Sequence, residues 1–504
     1  MSSVSADHGL RPLLRMILGS WMENCTRPKK ASRPFLSCCV STLQKVWDGW
    51  LIAAKTVVCI RDSHVFTTGE RRQIMTSDST PTTLNRRSAL RAGLALAAPM
   101  IIPQSAFGAN ERLNIGAIGV GGRGGGDLAA VSTESIVALC DVDSQRLGAA
   151  AGRHPNARQY RDYRKLLEQK ELDAVVVATP DHHHAPATMR AMQRDLHVYC
   201  EKPLTHTVEE ARKIATVAAE RKLATQMGTQ NHEHPGYRQL VGMLQSNAIG
   251  DVTEVHIITD RPGRWWGQGQ KRPTEKQPVP ANLDWDLWLG PAPVRNYHSA
   301  YVPFRWRGWW DFGCGAIGDM AIHLMDPTFQ GLKLGGRPVT VSSVGSGLLP
   351  ESGPTHMKTK FVFPQHGDQK PVTVFWYEGT AKPDAPIASS LPMNGSLFIG
   401  TNGRIAIAHG KMPVQTGGRP QSGEQPDSAF PGDHHHQQWI TACKTGSATG
   451  SNFGYAGPFT EVVLLGNVAF RTGATLNYDP QKMTTGNKQA DALLSKEYRQ
   501  GWEV

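Results

Sequence analysis

The sequence lacks cysteines in any arrangement that would hold a metal or a disulfide framework. Four of its eight cysteines lie within the first 108 residues, and the others are far apart: Cys140, Cys200, Cys314 and Cys443. Neither paired cysteines nor the short spacings of a zinc site occur among these four. We therefore expect them to be small buried hydrophobic residues, and we predict no metal site.

An excess of one charge is also missing from most of the chain. The net charge is +11, but residues 1–108 contain 14 Lys and Arg against 6 Asp and Glu. The remaining residues contain 40 basic against 37 acidic side chains, a balance of +3. No basic stripe with interleaved stacking aromatics follows residue 108. These features exclude a nucleic-acid-binding function.

The apolar run at 92–102 is too short and too rich in Gly and Ala for a membrane span. It follows the twin arginines of NRRSALR (85–91) and precedes SAFGAN, which is the pattern of a twin-arginine export signal. Cleavage is expected after Gly108, with Ala109 as the alternative. We therefore predict no membrane span, and an exported, periplasmic protein.

An export signal belongs at the start of a chain, yet 74 residues precede Met75. We predict that residues 1–74 are an over-extended, disordered N-terminus and that 75–108 are the signal peptide. A dinucleotide-binding domain would then occupy 109–232, and a second α/β domain would occupy 233–504.

A glycine-rich loop follows the first predicted strand, 113–118. It matches G-x-G-x-x-G and precedes a predicted helix at 127–132, so its backbone and the helix N-terminus can hold a pyrophosphate. The cofactor-contacting residues of this loop are expected to be Gly119, Gly121, Gly122, Arg123 and Gly124.

A carboxylate, Asp141, follows the second predicted strand, 22 residues after Gly119. In this position it would accept hydrogen bonds from the adenosine ribose and repel a 2′-phosphate. The pattern favours NAD over NADP, while Arg123 and Arg146 leave NADP open.

Strands and helices then alternate at the spacing of a doubly wound sheet. Helices are predicted at 161–169, 185–194 and 207–221, and strands at 173–178, 196–200 and 224–228. Glu201 and Lys202 follow one of these strands and are fixed by Pro203. Because open α/β sheets bind ligands beyond the carboxyl ends of their strands, this ionisable pair is well placed for chemistry.

Two histidine runs, His182–His184 and His434–His436, have no partner residues at metal-ligand spacing. We expect the first run on a turn, with one imidazole bordering a nicotinamide. The second is expected to open a helix at 434–444, with Asp433 as its N-cap.

The second domain combines a tryptophan-rich stretch with alternating segments typical of an open, mostly antiparallel sheet. Strands are predicted at 252–259, 339–344, 359–362, 372–376, 396–400 and 403–408, and helices at 236–245, 434–444 and 460–471. Seven of the ten tryptophans after the leader lie between 265 and 310. Aromatic faces interleaved with polar residues suit sugar rings, and Trp306 and Trp309 are predicted to contact substrate.

Asp319, His323 and Asp326 are spaced i, i+4, i+7, so a helix would place them on one face. A histidine beside carboxylates is a suitable proton carrier.

Over about 112–475 the chain resembles the Gfo/Idh/MocA oxidoreductases. The resemblance is carried by four motifs: the glycine loop with Asp141, Thr179-Pro180 with His184, Glu201-Lys202-Pro203, and Asp319-x-x-x-His323. With its export signal and tryptophan-rich region, the chain looks like the exported members found in planctomycetes. The resemblance implies a glucose–fructose oxidoreductase-like fold, a Rossmann domain followed by an α/β domain, and a homo-oligomer, either a dimer or a tetramer.

The resemblance also implies roles for individual residues. The cofactor would be contacted by Thr179, Pro180, His184 and Glu201. Lys202 would contact the nicotinamide and the reacting hydroxyl, and the resemblance allows a cis peptide bond between Lys202 and Pro203. His323 would be the acid/base and Asp319 a substrate-binding partner.

The implied activity is hydride transfer between NAD, or NADP, and a hydroxyl of a small sugar or polyol. Free NAD should be scarce outside the cytoplasm, so the cofactor is expected to be tightly held. Two alternatives stay open: an NAD-dependent glycoside hydrolase that works by transient oxidation and elimination, and a non-catalytic sugar-binding protein.

Overall fold

The computed structural model describes residues 112–419 and 435–503. The predictions for the over-extended N-terminus, the signal peptide, Asp433 and His434 lie outside these residues.

The first half of the described chain is built on a parallel sheet of six strands in the order β3-β2-β1-β4-β5-β6. The strands are β1 Asn114–Ile118, β2 Ser135–Cys140, β3 Arg158–Tyr160, β4 Ala174–Val177, β5 His197–Cys200 and β6 Thr225–Met227. The helices are Arg123–Ala130, Ser144–Arg153, Tyr163–Leu166, Asp181–Met192 and Val208–Glu220. The predicted Rossmann-type sheet is confirmed.

Local sequence explains most of these elements. Strand β4 is AVVV and is buried throughout, as expected for a parallel strand covered on both faces. Thr207 and Glu210 form a capping box at the helix that follows β5.

The helix Ser144–Arg153 and the short strand β3 were not predicted, and the helix after the glycine loop begins four residues before its predicted start. Three glycines occupy the first turn of that helix, and because glycine has a low helix propensity, the sequence predicts a start after them. The first histidine run was also misassigned. It lies in the first turn of the helix Asp181–Met192 rather than on a turn.

The second half is built on an eight-stranded sheet in the order β13-β12-β11-β7-β10-β9-β8-β14. Its strands are β7 Val252–Thr259, β8 Val339–Gly345, β9 Met357–Phe363, β10 Val372–Glu378, β11 Gly395–Gly400, β12 Gly403–Ala408, β13 Val414–Gly417 and β14 Leu476–Tyr478. Six of the seven neighbouring pairs are antiparallel, and only β7 and β10 run parallel. The predicted open, mostly antiparallel sheet is confirmed.

Helical segments connect and cover this second sheet. They are Gln230–Glu233, Pro235–Gln245, Trp285–Leu289, Arg305–Gly308, Ile317–Ala321, Ile322–Leu324, Asp326–Gly331, Ala385–Ala388, His435–Thr445, Phe453–Thr472 and Lys488–Asp491. Among the described residues, no helix combines the length and the apolar character that a membrane crossing requires.

The helix Phe453–Thr472 joins the two halves, because it packs against both the helix Val208–Glu220 and strand β8. Arg212 of the first half donates to both carboxylate oxygens of Glu461, at 2.7 and 2.6 Å. The prediction that this helix begins at 460 was wrong. Asn452 caps it through a bond from the Tyr455 N–H, and Pro458 is accommodated inside its second turn.

The tryptophan-rich stretch is tied to the Rossmann half by backbone hydrogen bonds. The N–H of Ser144 donates to the carbonyl of Asn282 at 2.8 Å, and the N–H of Asp284 donates to the carbonyl of Val142 at 3.0 Å. We call residues 280–288 the covering segment, because they lie over the loop that follows β2.

Replacing Gly124 by alanine should destabilise the Rossmann half, because the added Cβ would lie 1.8 Å from the carbonyl oxygen of Gly119. We expect the free energy of unfolding to fall by about 1–3 kcal/mol, the usual cost of overpacking. Gly126→Ala is the matched control in the same helix, because its Cβ would meet nothing within 4 Å. Urea unfolding curves that coincide for both variants would contradict the close approach of helix and loop.

Candidate active site

One cavity of about 840 Å³ brings together most of the predicted site residues. Its walls include the glycine loop and strand ends of the first sheet together with residues from the second half. The predicted residues that line it are Gly119, Gly121, Gly122, Arg123, Asp141, Thr179, Pro180, Glu201, Lys202, Trp306, Asp319 and His323. Gly124, His184 and Trp309 do not line it.

The glycine loop allows close backbone approach at the cavity wall. Gly119 has a φ of +82°, and its N–H donates to the carbonyl of Cys140 at 2.8 Å. Gly122, with a φ of +53°, is the N-cap of the helix Arg123–Ala130, and a Cβ there would meet nothing within 4 Å. This open glycine, followed by a helix without a side-chain cap, fits the approach of a pyrophosphate.

Asp141 lies at the end of β2 and faces the same cavity. Its carboxylate accepts from the N–H of Val120 at 3.0 Å and from the N–H of Asp143 at 2.9 Å. Burial raises the pKa of Asp141, and these two N–H bonds oppose the rise. Each carboxylate oxygen has a second acceptor position, so the group retains capacity for the hydroxyls of a ribose.

The two arginines that left NADP open already have carboxylate partners. The Nε of Arg123 lies 3.0 Å from Glu201, and its guanidinium also contacts Asp127 at 2.5 Å. Arg146 lies 3.6 Å from Asp143. A 2′-phosphate would have to compete with these carboxylates, so the residues present fit NAD better than NADP.

Glu201 is buried at the centre of a small polar network. Its Oε1 accepts from Arg123 and from the side-chain amide of Gln230, the latter at 2.6 Å. Burial, reinforced by Asp127, raises the pKa of Glu201 to about 7. Gln230 was missed in the sequence, because a lone glutamine on a short helical turn carries no recognisable motif.

His184 is buried behind the cavity wall. Its ring nitrogens lie 2.7 Å from the carbonyl oxygen of Pro203 and 2.9 Å from that of Thr179. The side chain therefore ties together the two turns that follow β4 and β5, and it holds the wall in place rather than facing a ligand. The Lys202–Pro203 peptide bond is cis.

Lys202 and Asp319 meet across the two halves of the molecule. The Nζ of Lys202 lies 2.5 Å from Asp319 Oδ1 and 3.2 Å from its backbone carbonyl oxygen. Asp319 also accepts from Arg261, and Arg307 lies 3.5 Å from it. Burial would raise the pKa of Asp319, but Lys202, Arg307 and Arg261 outweigh it and hold the pKa well below its usual range.

Asp319 lies in a wide, π-helical turn, Ile317–Ala321, which continues into the helical turn Ile322–Leu324 with His323. Such wide turns are frequent at functional sites. They also change the angle between positions along the helix, so the predicted single face was wrong for Asp326. That carboxylate points to a separate buried cluster, where it lies 2.9 Å from His232 and accepts from the Tyr455 hydroxyl at 2.6 Å.

His323 lies in the wall of the cavity close to Lys202 and His409. Among the described residues its Nδ1 has no hydrogen-bond partner, and its ring lies 5.3 Å from the ring of His409. Burial, with the positive charge of Lys202 and the neighbouring His409, lowers the pKa of His323 well below 6.5. The imidazole is therefore neutral at physiological pH and free to accept a proton.

The tryptophan-rich stretch contributes unevenly. Trp306 lines the cavity, and the guanidinium of Arg307 stacks over it at 4.2 Å. Trp309 is only 1% exposed and donates its ring N–H to the carbonyl of Ala300. The prediction that Trp309 contacts substrate is therefore not supported, since it packs in an aromatic core instead.

Arg261 and Arg307 were also missed, because single arginines in a loop-rich stretch show no periodicity or spacing. Of the first histidine run, His183 reaches the cavity wall while His182 packs against Trp288 and Phe312. Within the ranges 112–419 and 435–503, no group of three or more His, Cys, Asp or Glu side chains could hold a metal.

Two family models match this chain in sequence. The model described as "Oxidoreductase family, NAD-binding Rossmann fold" matches residues 113–229, and the model of the same family's C-terminal alpha/beta domain matches 240–344. Both models describe the Gfo/Idh/MocA oxidoreductases, and over these residues, which are less than half of the chain, the sequence is similar to that family.

Curated relatives agree over part of their length. The inositol 2-dehydrogenase of Rubrobacter xylanophilus is 33% identical over 149 residues, which are 28% of this chain and 42% of that protein. The enzyme of the same name from Salmonella typhimurium is 30% identical over 152 residues, covering 29% and 45%. The chain thus matches less than half the length of these relatives.

Solved structures share the fold at low identity. The WlbA dehydrogenase of Bordetella pertussis, determined with NADH and UDP-GlcNAcA, has a TM-score of 0.52 at 17% identity, covering 73% of this chain and 99% of that one. An NAD-binding protein from Listeria innocua has a TM-score of 0.51, also at 17% identity, with the same coverage.

Glu201→Gln should alter how stability depends on pH. Because folding raises the pKa of Glu201 from 4.5 to about 7, its stabilising contribution is complete below about pH 4.5 and is lost as pH rises to about 7. Urea unfolding across this range should therefore show wild-type stability falling relative to the glutamine variant. The exposed Glu168→Gln is the control, and a constant difference between wild type and Glu201→Gln would contradict the raised pKa.

Proposed function

We propose that the protein is an NAD-dependent oxidoreductase that acts by hydride transfer on a hydroxyl of a sugar or polyol. One observation carries the proposal: Lys202 from the first sheet and Asp319 with His323 from the second half line the same cavity as the glycine loop and Asp141. Such an enzyme needs a nucleotide-binding site and an acid/base pair in the same cavity.

When bound, NAD supplies the hydride acceptor. The open Gly122 and the helix behind it would hold the pyrophosphate, and Asp141 would hold the adenosine ribose. Thr179, Pro180 and Glu201 would form the wall near the nicotinamide.

The proton chemistry belongs to His323 and Lys202. The neutral imidazole of His323 accepts the hydroxyl proton, and its depressed pKa keeps it in the accepting form as pH falls through 6.5. The ammonium of Lys202, fixed by Asp319, donates to the substrate oxygen and stabilises the negative charge that develops there. Asp319 orients Lys202.

Two independent observations support the substrate class: a side chain in the cavity wall and the names of the relatives. Trp306 lines the cavity beneath the guanidinium of Arg307, and the matched curated relatives bear the name inositol 2-dehydrogenase. The comparisons do not support the glycoside hydrolase alternative. A purely structural role for NAD is disfavoured by the shared cavity of Lys202 and His323.

Tight retention of NAD is part of the proposal. The covering segment contributes Pro280, Asn282, Leu283, Leu287 and Trp288 to the cavity wall. Trp502 joins this wall from the C-terminal end and is held beneath Arg164 at 4.0 Å. These residues close the adenosine side of the cavity, which slows the release of a bound dinucleotide.

Several expectations stay predictions. They are export by the twin-arginine route, a periplasmic location, a mature chain that starts at about residue 109, the domain boundary near 232, and assembly into a dimer or tetramer. Tight retention agrees with export, because twin-arginine transport carries folded proteins and the cofactor would be loaded beforehand.

The activity is tested by incubating the NAD-loaded protein with a panel of sugars and polyols and following the absorbance of bound NADH. We expect reduction with at least one compound. Lys202→Met and His323→Asn should each lower the rate by roughly 10²–10⁴-fold, the usual contribution of a proton-transfer group. Wild-type oxidation should not decline as pH falls through 6.5.

Asp326→Asn is the control for these variants, because that carboxylate lies in a separate cluster. Cleavage of glycosides without net NADH, with solvent deuterium entering the sugar, would instead identify a glycoside hydrolase. Sugar binding with no reduction and no cleavage would contradict both enzymatic functions.

NAD should copurify at about one molecule per chain and survive dialysis. Leu283→Ala, in the covering segment, should release NAD roughly tenfold faster, since losing about 1.4 kcal/mol of contact corresponds to a factor of ten. Chromatographic measurement of released NAD provides the readout. Val279→Ala is the control, because that side chain is 43% exposed and lies outside the cavity wall. Loss of NAD from wild type on simple dialysis would disprove tight retention.

A further inference from the structure

We propose that the substrate is an anionic sugar, one that carries a carboxylate or a phosphate, and that Arg261 and Arg307 bind this group. The inference rests on the proposed function and names the class of sugar that the same cavity accepts. It follows from the charges that face the substrate half of the cavity.

Three cations in this half share one carboxylate. Lys202, Arg261 and Arg307 all contact Asp319. Among the described residues, no second carboxylate lies within 4.0 Å of their side-chain nitrogens. Positioning Asp319 or Lys202 requires one ion pair. Two further cations beside the same carboxylate repel one another and leave an unbalanced positive charge in a partly desolvated site.

The arginines are held with their hydrogen-bonding capacity incompletely used. The Nε of Arg261 is buried, and among the described residues it has no hydrogen-bond acceptor. The guanidinium of Arg261 stacks over Trp265 at 4.4 Å, and that of Arg307 stacks over Trp306 at 4.2 Å. Stacking fixes the planes of the guanidinium groups, and both arginines line the cavity, although Arg307 also donates to the carbonyl of Phe304 at 3.3 Å. Planar guanidinium groups held in this way suit carboxylate and phosphate oxygens.

Other charged groups near these arginines do not remove the excess. Asp181 lines the cavity near Arg307 and Lys202, and its Oδ2 accepts from the N–H of Cys314. Even with Asp181 ionised beside Asp319, three cations would face two carboxylates. Asp260, next to Arg261 in the chain, is paired with Arg264. Glu201 is already paired with Arg123. His323 is neutral, because burial and Lys202 lower its pKa. The positive charge of the three cations therefore faces the space where the substrate would bind.

The cofactor half of the same cavity shows the contrast. There, Arg123 and Arg146 each have a carboxylate partner, supplied by Glu201 or Asp143. Arg161 also lines this half and donates to the carbonyl of Val142, but Asp141 lines the same half and forms no ion pair among the described residues, so the two charges offset each other. The excess of cations over carboxylates therefore lies on the side lined by Trp265, Phe304 and Trp306. A neutral polyol would leave this excess uncompensated, whereas one anionic group would balance most of it.

The test measures equilibrium binding to the NAD-loaded protein by isothermal titration calorimetry. Glucose, galactose and mannose are each compared with their uronate and their 6-phosphate, at low and at high salt. We expect at least one anionic form to bind roughly tenfold or more tightly than its neutral parent, as one charge-assisted contact would give. High salt should reduce this advantage, and the uronate and phosphate arms identify which anion is bound.

Variants assign the effect to the two arginines. Arg307→Gln and Arg261→Gln should each reduce the ratio of neutral to anionic dissociation constants by roughly tenfold. Arg307→Lys, which keeps the charge but loses the planar fork, should reduce it less. Arg264→Gln is the matched control, because Arg264 is exposed, pairs with Asp260 and does not line the cavity.

Any of four results would overturn the inference. They are equal affinity for neutral and anionic forms, binding of neutral forms alone, no binding of any anionic form, and an anionic advantage that survives in both glutamine variants. Reduction of bound NAD is scored separately. Anionic sugars that bind without being oxidised would refute the proposed function and not the binding preference. Neutral sugars that are oxidised without any anionic preference would do the reverse.

Discussion

The ion pair between Lys202 and Asp319 is the constraint on which the site depends. It joins the turn after a strand of the first sheet to the wide helical turn beside the second sheet, at 2.5 Å. Neither residue can reach the other unless both sheets are folded and docked. Because both side chains are largely buried, the pair has an effect only in this docked state, where the low polarity of the surroundings strengthens it.

The docking is secured by contacts both remote from the cavity and along its wall. The helix Phe453–Thr472 packs on both halves, and Arg212 and Glu461 form a two-pronged contact between them. His184 holds the two strand-end turns at a fixed separation. The backbone bonds of the covering segment to the loop after β2 add a second connection. Contacts from several elements thus hold the turn that carries Lys202 in place.

Charge is distributed unequally within this frame. In the cofactor half, acidic and basic side chains neutralise one another, and the resulting network includes a protonatable Glu201. In the substrate half, cations predominate, and burial together with the charge of Lys202 lowers the pKa of His323 and keeps it unprotonated. Under the proposed function, the cavity would offer a neutral setting for the dinucleotide and a positive setting for the substrate oxygen, which is the arrangement that would stabilise a developing alkoxide.

The sequence by itself determined the motifs whose residues lie close together along the chain. The glycine loop, the buried strand β4 and the Glu201-Lys202-Pro203 turn follow from residue types at fixed spacing, as does the pair Asp319 and His323. Only the tertiary structure decided which residues share the cavity. Arg261, Arg307 and Gln230 belong to no motif and reach the cavity from a loop and from two short helical turns. Core packing directs Trp309 away from the cavity, and a wide helical turn directs Asp326 away from it. Periodicity describes one regular element at a time, and these positions depend on contacts between residues far apart in the chain.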